Sequence, residues 1–241
     1  MLNKYDFVNS TEVNQFIDFL RNGIFSSASQ LQKYLDDYKW SGLNFEQTFE
    51  KVFSLRADLK LALNSHDADQ AFDICCEILS WGGVGVATKN KKALEENRSN
   101  GNLISTLKKA RTFIQSYIID TENFNLRMNA GFSKIYALLG DEFIIYDSRV
   151  AAQLCWLIKQ CFNDNPMIFN FGKCDYMAKV NRDPGKEFPM LTGKPKKYFE
   201  SNIKAAWILQ RLADRHNLLK LSTDKMIFAY QTALFVEGKE L

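Results

Sequence analysis

The chain has 241 residues, of which 46% are hydrophobic, so it can bury a sizeable core and does not belong to the intrinsically disordered class. Its formal net charge of +3 by itself indicates no class of partner. With only 12 glycines and 4 prolines, the composition excludes collagen-like and low-complexity classes and argues against a turn-rich β-sandwich. The length fits one large domain or two small domains that pack closely together.

The charged residues are unevenly distributed along the chain. Residues 1–70 carry ten acidic and seven basic side chains, whereas residues 165–225 carry twelve basic and six acidic ones. A local positive field of this kind can attract polyanions, although an ordinary solvated surface is the simpler interpretation. All prolines lie between Pro166 and Pro195, which leaves two long proline-free stretches on either side.

Cysteine and histidine usage predicts neither a disulfide framework nor a metal site. The five cysteines form no CxxC pair, and the chain has only two histidines, so we expect no metal ion and no cofactor. The N-terminal segment has no apolar signal core, and the longest nearly apolar run, residues 78–87, is too short to span a bilayer. We therefore expect a cytoplasmic protein that does not act at a membrane.

Apolar residues recur at helical spacing through most of the chain, which predicts an all-α fold of about eight to ten helices. Ser10 or Thr11 can cap the first clear helix, and Thr223 is the predicted cap of the last one, which runs through Leu234. The short run 143–146 is the one ambiguous strand candidate. The apolar stripes lie at residues 13–20, 45–63, 71–79, 103–118, 199–213 and 223–234.

Three stretches interrupt this helical pattern. Residues 80–85 read SWGGVG, residues 121–131 read TENFNLRMNAG, and residues 163–197 form a long segment that holds every proline. We predict that 163–197 is irregular, and its last part, 181–197, carries five basic and two acidic residues. Long irregular segments inside compact domains are more often functional than accidental, so this one is a candidate specificity element or DNA contact.

The segment 129–154 carries the residues most indicative of chemistry. It is predicted to form a turn at Gly131, a short helix that opens at Ser133 and Lys134, an extended link, and a helix that begins at Asp147. Asp147 precedes an apolar-periodic run and is therefore a candidate helix N-cap. Familiar signatures such as a Walker loop, GxSxG or HExxH are absent from the sequence.

This segment resembles a known family. The sequence G-F-S-K at 131–134, followed by an apolar helix and by I-Y-D-S-R-V at 145–150, resembles the helix-hairpin-helix DNA glycosylases, and most of all the bacterial branch similar to 8-oxoguanine glycosylase. The W-G-G sequence at 81–83 is similar to a segment of that branch. The resemblance covers about residues 70–160 and implies an all-α fold of two packed helical subdomains, with residues 1–241 forming a single unit.

The resemblance also implies roles for individual residues. Asp147 falls at the position of the general catalytic aspartate, and Lys134 falls at the position of the lysine that acts as Schiff-base nucleophile where it is present. The backbone amides of the hairpin turn, here Gly131, Phe132 and Ser133, would hold a DNA phosphate. We further name Arg127, Arg149, Lys194, Lys196 and Lys197 as DNA contacts, and Trp81, Phe188 and Tyr146 as walls of a base pocket.

The sequence departs from the family pattern in two places. Gly131 is the only glycine of the expected GxG turn, since Phe132 stands at the second position, and Lys134 lies thirteen residues before Asp147, a shorter gap than is familiar. Simpler interpretations also exist: Asp147 as a plain cap, Lys134 as a solvated first-turn lysine, Arg149 in a structural ion pair, and Trp81 as a core residue.

These features predict a DNA glycosylase that flips out and excises a damaged or modified base from double-stranded DNA, leaving an abasic site. Breaking the N-glycosidic bond develops positive charge on the sugar, which an ionised carboxylate stabilises. The role would be DNA repair or antiviral defence against phage DNA with modified bases, and we expect a monomer. The alternatives are a non-catalytic helical DNA-binding module that kept the hairpin, and a purely structural scaffold.

Overall fold

The computed structural model of the chain describes residues 1–84, 89–140, 143–163 and 194–239. Within these ranges the chain forms eleven α-helices, a 3₁₀ helix at Thr121–Asn123, and one antiparallel pair of two-residue strands, β1 at Leu2–Asn3 and β2 at Ile118–Ile119. The predicted all-α class is confirmed. The helices are α1 Lys4–Asn9, α2 Thr11–Asn22, α3 Ala28–Asp37, α4 Phe45–Ser65, α5 Ala68–Trp81, α6 Lys89–Ser99, α7 Leu103–Gln115, α8 Ala130–Ala137, α9 Ser148–Cys161, α10 Pro195–Arg215 and α11 Thr223–Glu237.

Short polar side chains fix the start of several helices, because they accept hydrogen bonds from amides that have no partner inside the helix. Ser10 caps α2 as predicted, with its hydroxyl accepting from the N–H of Val13. Asp67 caps α5 in the same way. In α11 the cap residue is Ser222 rather than the predicted Thr223, because Thr223 already belongs to the first helical turn.

The start of α8 differs from the prediction. Asn129 is the N-cap, so Gly131 lies inside the first turn of the helix and not in a turn before it. Residues 116–129, which include β2 and the 3₁₀ helix, connect α7 to α8, so no tight hairpin turn joins these two helices. The sequence pattern indicated the helix correctly but placed its beginning about one turn too late.

The prediction for the proline-containing segment 163–197 is wrong at its C-terminal end. Lys194 is the N-cap of α10, and residues 195–197 form its first turn. Proline suits the first helical position, since its fixed φ is helical and its missing N–H would have no partner there. Most of the segment, including Phe188, lies outside the described residues.

Residues 143–146 form neither a helix nor a strand, and they pair with no strand among the described residues. Side chains from α10 and α11 bind their backbone instead. Gln231 accepts a hydrogen bond from the N–H of residue 145 at 2.8 Å, Asn202 donates to the carbonyl of residue 144 at 3.0 Å, and Tyr198 donates to the carbonyl of residue 146. These buried bonds fix the position of Asp147, which follows directly.

The helices pack in two groups that share one apolar core. One group contains α1–α3 together with α9–α11, and the other contains α4–α8, which pack mainly against one another. The first and last parts of the chain therefore meet in one group, while the middle part forms the other. Helix α11 also contacts α4, and one cluster of buried apolar side chains runs through both groups. None of the described helices is long and apolar enough to cross a membrane.

An aromatic cluster ties the connection after α7 to α10. Phe124, which is 1% exposed, stacks on Phe199 with ring centroids 4.2 Å apart and planes at 10°. Phe113 of α7 meets both rings edge-on. Since offset or edge-on aromatic pairs add to the gain from burial, this cluster holds the chain on either side of α8 in place.

We expect Phe124→Ala to lower the free energy of unfolding by about 3–5 kcal/mol, because it removes a fully buried ring and leaves a cavity. The matched control is Phe53→Ala, since Phe53 is 53% exposed and its loss should change stability by about 0.5 kcal/mol or less. Urea denaturation followed by circular dichroism measures both values. Equal losses for the two variants would contradict this account of the cluster.

Candidate active site

A small cavity at the junction of the two helix groups contains both residues that were predicted to be catalytic. Lys134 of α8 and Asp147 at the N-cap of α9 line it together. Its volume is about 30 Å³, which has room for about one or two water molecules. The other lining residues are Tyr38, Trp40, Trp81, Ile145, Val150, Phe228, Gln231, Thr232 and Phe235.

Asp147 is half-buried and caps α9. One oxygen of its carboxylate, Oδ1, accepts from the backbone N–H of Arg149 at 3.0 Å and from that of Val150 at 3.1 Å. Both capping bonds go to the same oxygen, so the cap does not use Oδ2. The capping interpretation is therefore correct, and the same carboxylate also lines the cavity.

Lys134 is buried, with 5% of its surface exposed, and this rules out the interpretation as a solvated first-turn lysine. Its Nζ donates to the backbone carbonyl of Ala130 at 3.3 Å. Burial lowers the pKa of Lys134, and the nearby Asp147 carboxylate offsets part of that effect by raising it. No direct ion pair joins Lys134 and Asp147 in the described part of the chain. A depressed pKa increases the neutral, nucleophilic fraction of the amine.

The W-G-G sequence at 81–83 builds one wall of the cavity. A Cβ atom on Gly82 would overlap the side chain of Lys134, so only glycine lets the lysine lie there. Gly83 adopts φ +67°, and a Cβ on it would lie 3.3 Å from the ring of Trp40. The carbonyl of Trp81 accepts a hydrogen bond from the indole N–H of Trp40 at 2.8 Å. The motif thus positions both the lysine and an aromatic wall.

The rest of the wall comes from α11 and from the loop after α3. Phe228, Gln231, Thr232 and Phe235 share one face of α11 because their spacing of three, one and three residues matches the helical period. Trp40 meets Phe235 edge-on, with ring centroids 5.4 Å apart. Burial raises the pKa of a further wall residue, Tyr38, to about 12, so its hydroxyl is protonated at neutral pH.

The predicted phosphate contact at the start of α8 is not favoured by the structure. The amides of Gly131 and Phe132 already donate to Asn129 Oδ1, at 2.9 and 3.0 Å, and the amide of Ser133 donates to the Asn129 carbonyl at 2.8 Å. All three residues are buried. A Cβ on Gly131 would overlap Asn90 of α6, so this glycine permits close packing of two helices.

The predicted DNA contacts lie in three places. The Arg149 guanidinium lies over the ring of Phe235, 4.4 Å from its centroid, and makes no ion pair with Asp147 among the described residues. Arg127 is exposed and lies 5.7 Å from the centroid of the Phe132 ring. The exposed Lys194, Lys196 and Lys197 lie at the start of α10, where Lys196 binds Glu122.

The three predicted base-pocket residues also separate. Trp81 lines the cavity. Tyr146 is fully buried and packs edge-on against Tyr198, with centroids 6.1 Å apart, and it is not part of the cavity lining. Phe188 lies outside the described residues, so its predicted role has no structural counterpart here.

A wide groove beside the cavity was missed by sequence reasoning. It measures about 730 Å³, shares Trp40 and Phe235 with the cavity, and is lined by two acidic residues, Asp37 and Glu237. Its basic lining residues are Lys33, Lys39, Arg149 and Lys239. The aromatic and basic run Tyr-Lys-Trp at 38–40 and the periodic face of α11 are the sequence signals that could have indicated it.

Comparison of the chain with family models, curated proteins and solved structures finds no match. In the described ranges, no group of three or more His, Cys, Asp and Glu side chains is arranged to hold a metal ion. What the site can do chemically follows from its own residues, which are a carboxylate, a buried amine and aromatic walls.

We expect Gly82→Ala to lower the free energy of unfolding by about 1–3 kcal/mol, because the new methyl group displaces the side chain of Lys134. In a Lys134→Ala background the loss should be smaller, with a coupling energy of about 0.5–3 kcal/mol. Gly23→Ala is the control, since a Cβ at that position meets only the Phe19 carbonyl. Its loss of free energy of unfolding should add to that of Lys134→Ala. Additive losses in the Gly82 cycle would show that the close approach does not matter.

A second prediction concerns pH. Because the pKa of Lys134 is lower in the folded chain than its usual 10.5, the unfolded chain binds more protons in the interval between the two values, and stability rises with pH there. Relative to Lys134→Met, the wild type should therefore gain free energy of unfolding as pH rises towards 10.5, by at most about 1.4 kcal/mol per pH unit. Urea denaturation at a series of pH values from 7 upwards measures the difference in free energy of unfolding between the wild type and Lys134→Met. The tyrosines titrate in both proteins, so their contribution cancels in this difference. A flat difference would contradict the lowered pKa.

Proposed function

We propose that the protein is a DNA glycosylase that flips a base out of double-stranded DNA into the cavity between α8 and α9 and cleaves its N-glycosidic bond. The observation that carries this proposal is the placement of the Asp147 carboxylate and the buried Lys134 amine in one cavity with aromatic walls. Base-excising enzymes need these three components: a stabiliser of positive charge, a nucleophile, and a surface on which the base stacks.

The two residues divide the chemistry between them. As the bond from C1′ to the base breaks, positive charge develops on the sugar and the Asp147 carboxylate stabilises it. The lone pair of neutral Lys134 Nζ forms a new bond to C1′, while the base leaves with the electrons of the C1′–N bond and takes up one of the two protons of the resulting ammonium. The C1′–O4′ bond then breaks, the second amine proton passes to O4′, and the nitrogen lone pair forms the C=N bond of a Schiff base. Water hydrolyses the Schiff base to the abasic site and the free amine.

Water is the alternative nucleophile. The cavity has room for about one or two water molecules between its walls. With water attacking C1′, Asp147 accepts its proton and Lys134 serves as a cation near the DNA. The two routes share the carboxylate and differ in whether a covalent bond to the protein forms, which a trapping experiment detects.

Entry of a base requires the cavity to widen, since about 30 Å³ is too small for a purine or pyrimidine. The half-buried rings of Trp40 and Phe235 belong to both the cavity and the groove, so their rotation would connect the two spaces. The basic lining of the groove suits the phosphates on either side of a flipped nucleotide. The substrate is a damaged base or a modified base of phage DNA.

The first test uses Asp147→Asn. Asparagine is as good a helix cap as aspartate, so the fold should survive while the charge is lost. We expect base release from DNA to fall by about 10²-fold or more, with DNA binding retained. Incubation with genomic DNAs of varied modification, followed by mass spectrometry of the released bases, measures the activity. The matched control is Asp67→Asn. Asp67 is the N-cap of α5, whereas Trp81 is the last residue of that helix, so this variant should leave base release unchanged.

The second test separates the two nucleophiles. Borohydride should trap a covalent adduct between the wild type and its DNA substrate, and Lys134→Met should give none. Base release without an adduct would assign the attack to water and leave Asp147 as the catalytic group. Release of no base from any DNA, with salt-dependent DNA binding retained, would instead identify a non-catalytic DNA-binding module.

A further inference from the structure

Two polar atoms in the wall of the cavity have no hydrogen-bond partner among the described residues. They are the indole Nε1 of Trp81 and the hydroxyl oxygen of Thr232. Trp81 is 8% exposed and Thr232 is 1% exposed, and both residues line the cavity together with Lys134 and Asp147. An unpaired buried polar group is costly, so two of them in one cavity require a physical reason.

Other polar groups of the same wall have partners within the protein. The indole N–H of Trp40 donates to the Trp81 carbonyl at 2.8 Å, and Gln231 Oε1 accepts from the amide of residue 145 at 2.8 Å. The wall is therefore able to satisfy its polar groups. Trp81 ends α5 and Thr232 lies on α11, so the two residues come from different helix groups and line one cavity.

We propose that Trp81 and Thr232 determine specificity by forming hydrogen bonds to the flipped-out base, an inference that rests on the function proposed above. An indole N–H can only donate, whereas a hydroxyl donates or accepts. A carbonyl oxygen has two lone pairs and can accept from both residues at once, whereas a ring nitrogen accepts one hydrogen bond, so we expect the base to present a carbonyl oxygen to this wall.

This role predicts that activity and stability respond in different ways. Because neither atom bonds to another part of the described chain, removal of the polar atom breaks no hydrogen bond within the protein. Trp81→Phe keeps an aromatic wall, and Thr232→Val keeps the shape of the side chain. Thr232→Val should therefore melt at the wild-type temperature or above it. Trp81→Phe also loses buried ring area, so its melting temperature should fall no further than that of Trp207→Phe, a buried tryptophan outside the cavity. A structural role for either atom would lower the melting temperature beyond these limits.

The experiment measures single-turnover base release from duplex oligonucleotides that each carry one modified base. The carbonyl-bearing probes are 8-oxoguanine, hypoxanthine and uracil, the oxygen-free probe is 1,N6-ethenoadenine, and any base that the wild type releases from genomic DNA joins the panel. We expect the wild type to release a carbonyl-bearing base and each variant to do so about tenfold more slowly. Trp207→Phe, a buried tryptophan outside the cavity, is the control and should leave the release rate unchanged.

The outcomes separate this inference from the proposed function. Wild-type release rates in both variants would overturn the inference and leave the glycosylase proposal standing. Loss of activity together with a melting temperature below wild type for Thr232→Val, or below that of Trp207→Phe for Trp81→Phe, would assign the two atoms a structural role and also overturn it. Preferred release of ethenoadenine would overturn the carbonyl assignment alone. No release of any base by the wild type would overturn both proposals.

Discussion

The burial of Lys134 is the constraint on which the rest of the site depends. A lysine side chain is among the groups least often found fully buried, because its ammonium loses hydration that few contacts replace. Here one backbone carbonyl accepts from Nζ, and a carboxylate without a direct ion pair lies near. The chain accommodates the side chain by placing a glycine, Gly82, where any larger residue would overlap it. Burial of the ammonium costs free energy, and we attribute the presence of the lysine here to its role in the proposed reaction.

The cavity lies between the two helix groups because both groups supply its lining residues. Lys134 and Trp81 belong to the group of α4–α8, whereas Asp147 and the α11 face belong to the other group. Their relative positions therefore depend on how the two groups pack together. The link 143–146 joins α8 to α9, and it is held by hydrogen bonds to Gln231 of α11 and Asn202 of α10. Gln231 fixes the link while the adjacent Thr232 lines the cavity, so α11 both holds the carboxylate in place and shapes the space beside it.

Local features of the chain were predictable from the sequence, and the assembly of the site was predictable only in part. Helical periodicity and short polar caps are determined within a few residues, which is why the all-α class and the caps at Ser10 and Asp147 were found. The contribution of Trp40 to the cavity was not predictable, because it lies 94 residues before Lys134 and only the packing of distant segments brings the two near. The turn expected at Gly131 failed for a related reason, since this glycine serves the approach of Asn90 from another helix.

The charge of each part of the sequence likewise does not predict which charged side chains come together in the folded chain. The C-terminal third is the basic part of the chain, yet two of the lysines that line the groove, Lys33 and Lys39, belong to the acidic N-terminal third. Charges act over about 8 Å at physiological salt, so the field at the cavity depends on its nearest side chains and not on the totals for each part of the chain. Lys196, by contrast, binds Glu122 at the start of α10, which offsets part of its charge. We therefore place the phosphate backbone of the proposed DNA substrate on the surface formed by α3, α9 and α11, where the rings of Trp40 and Phe235 separate the groove from the carboxylate and the amine.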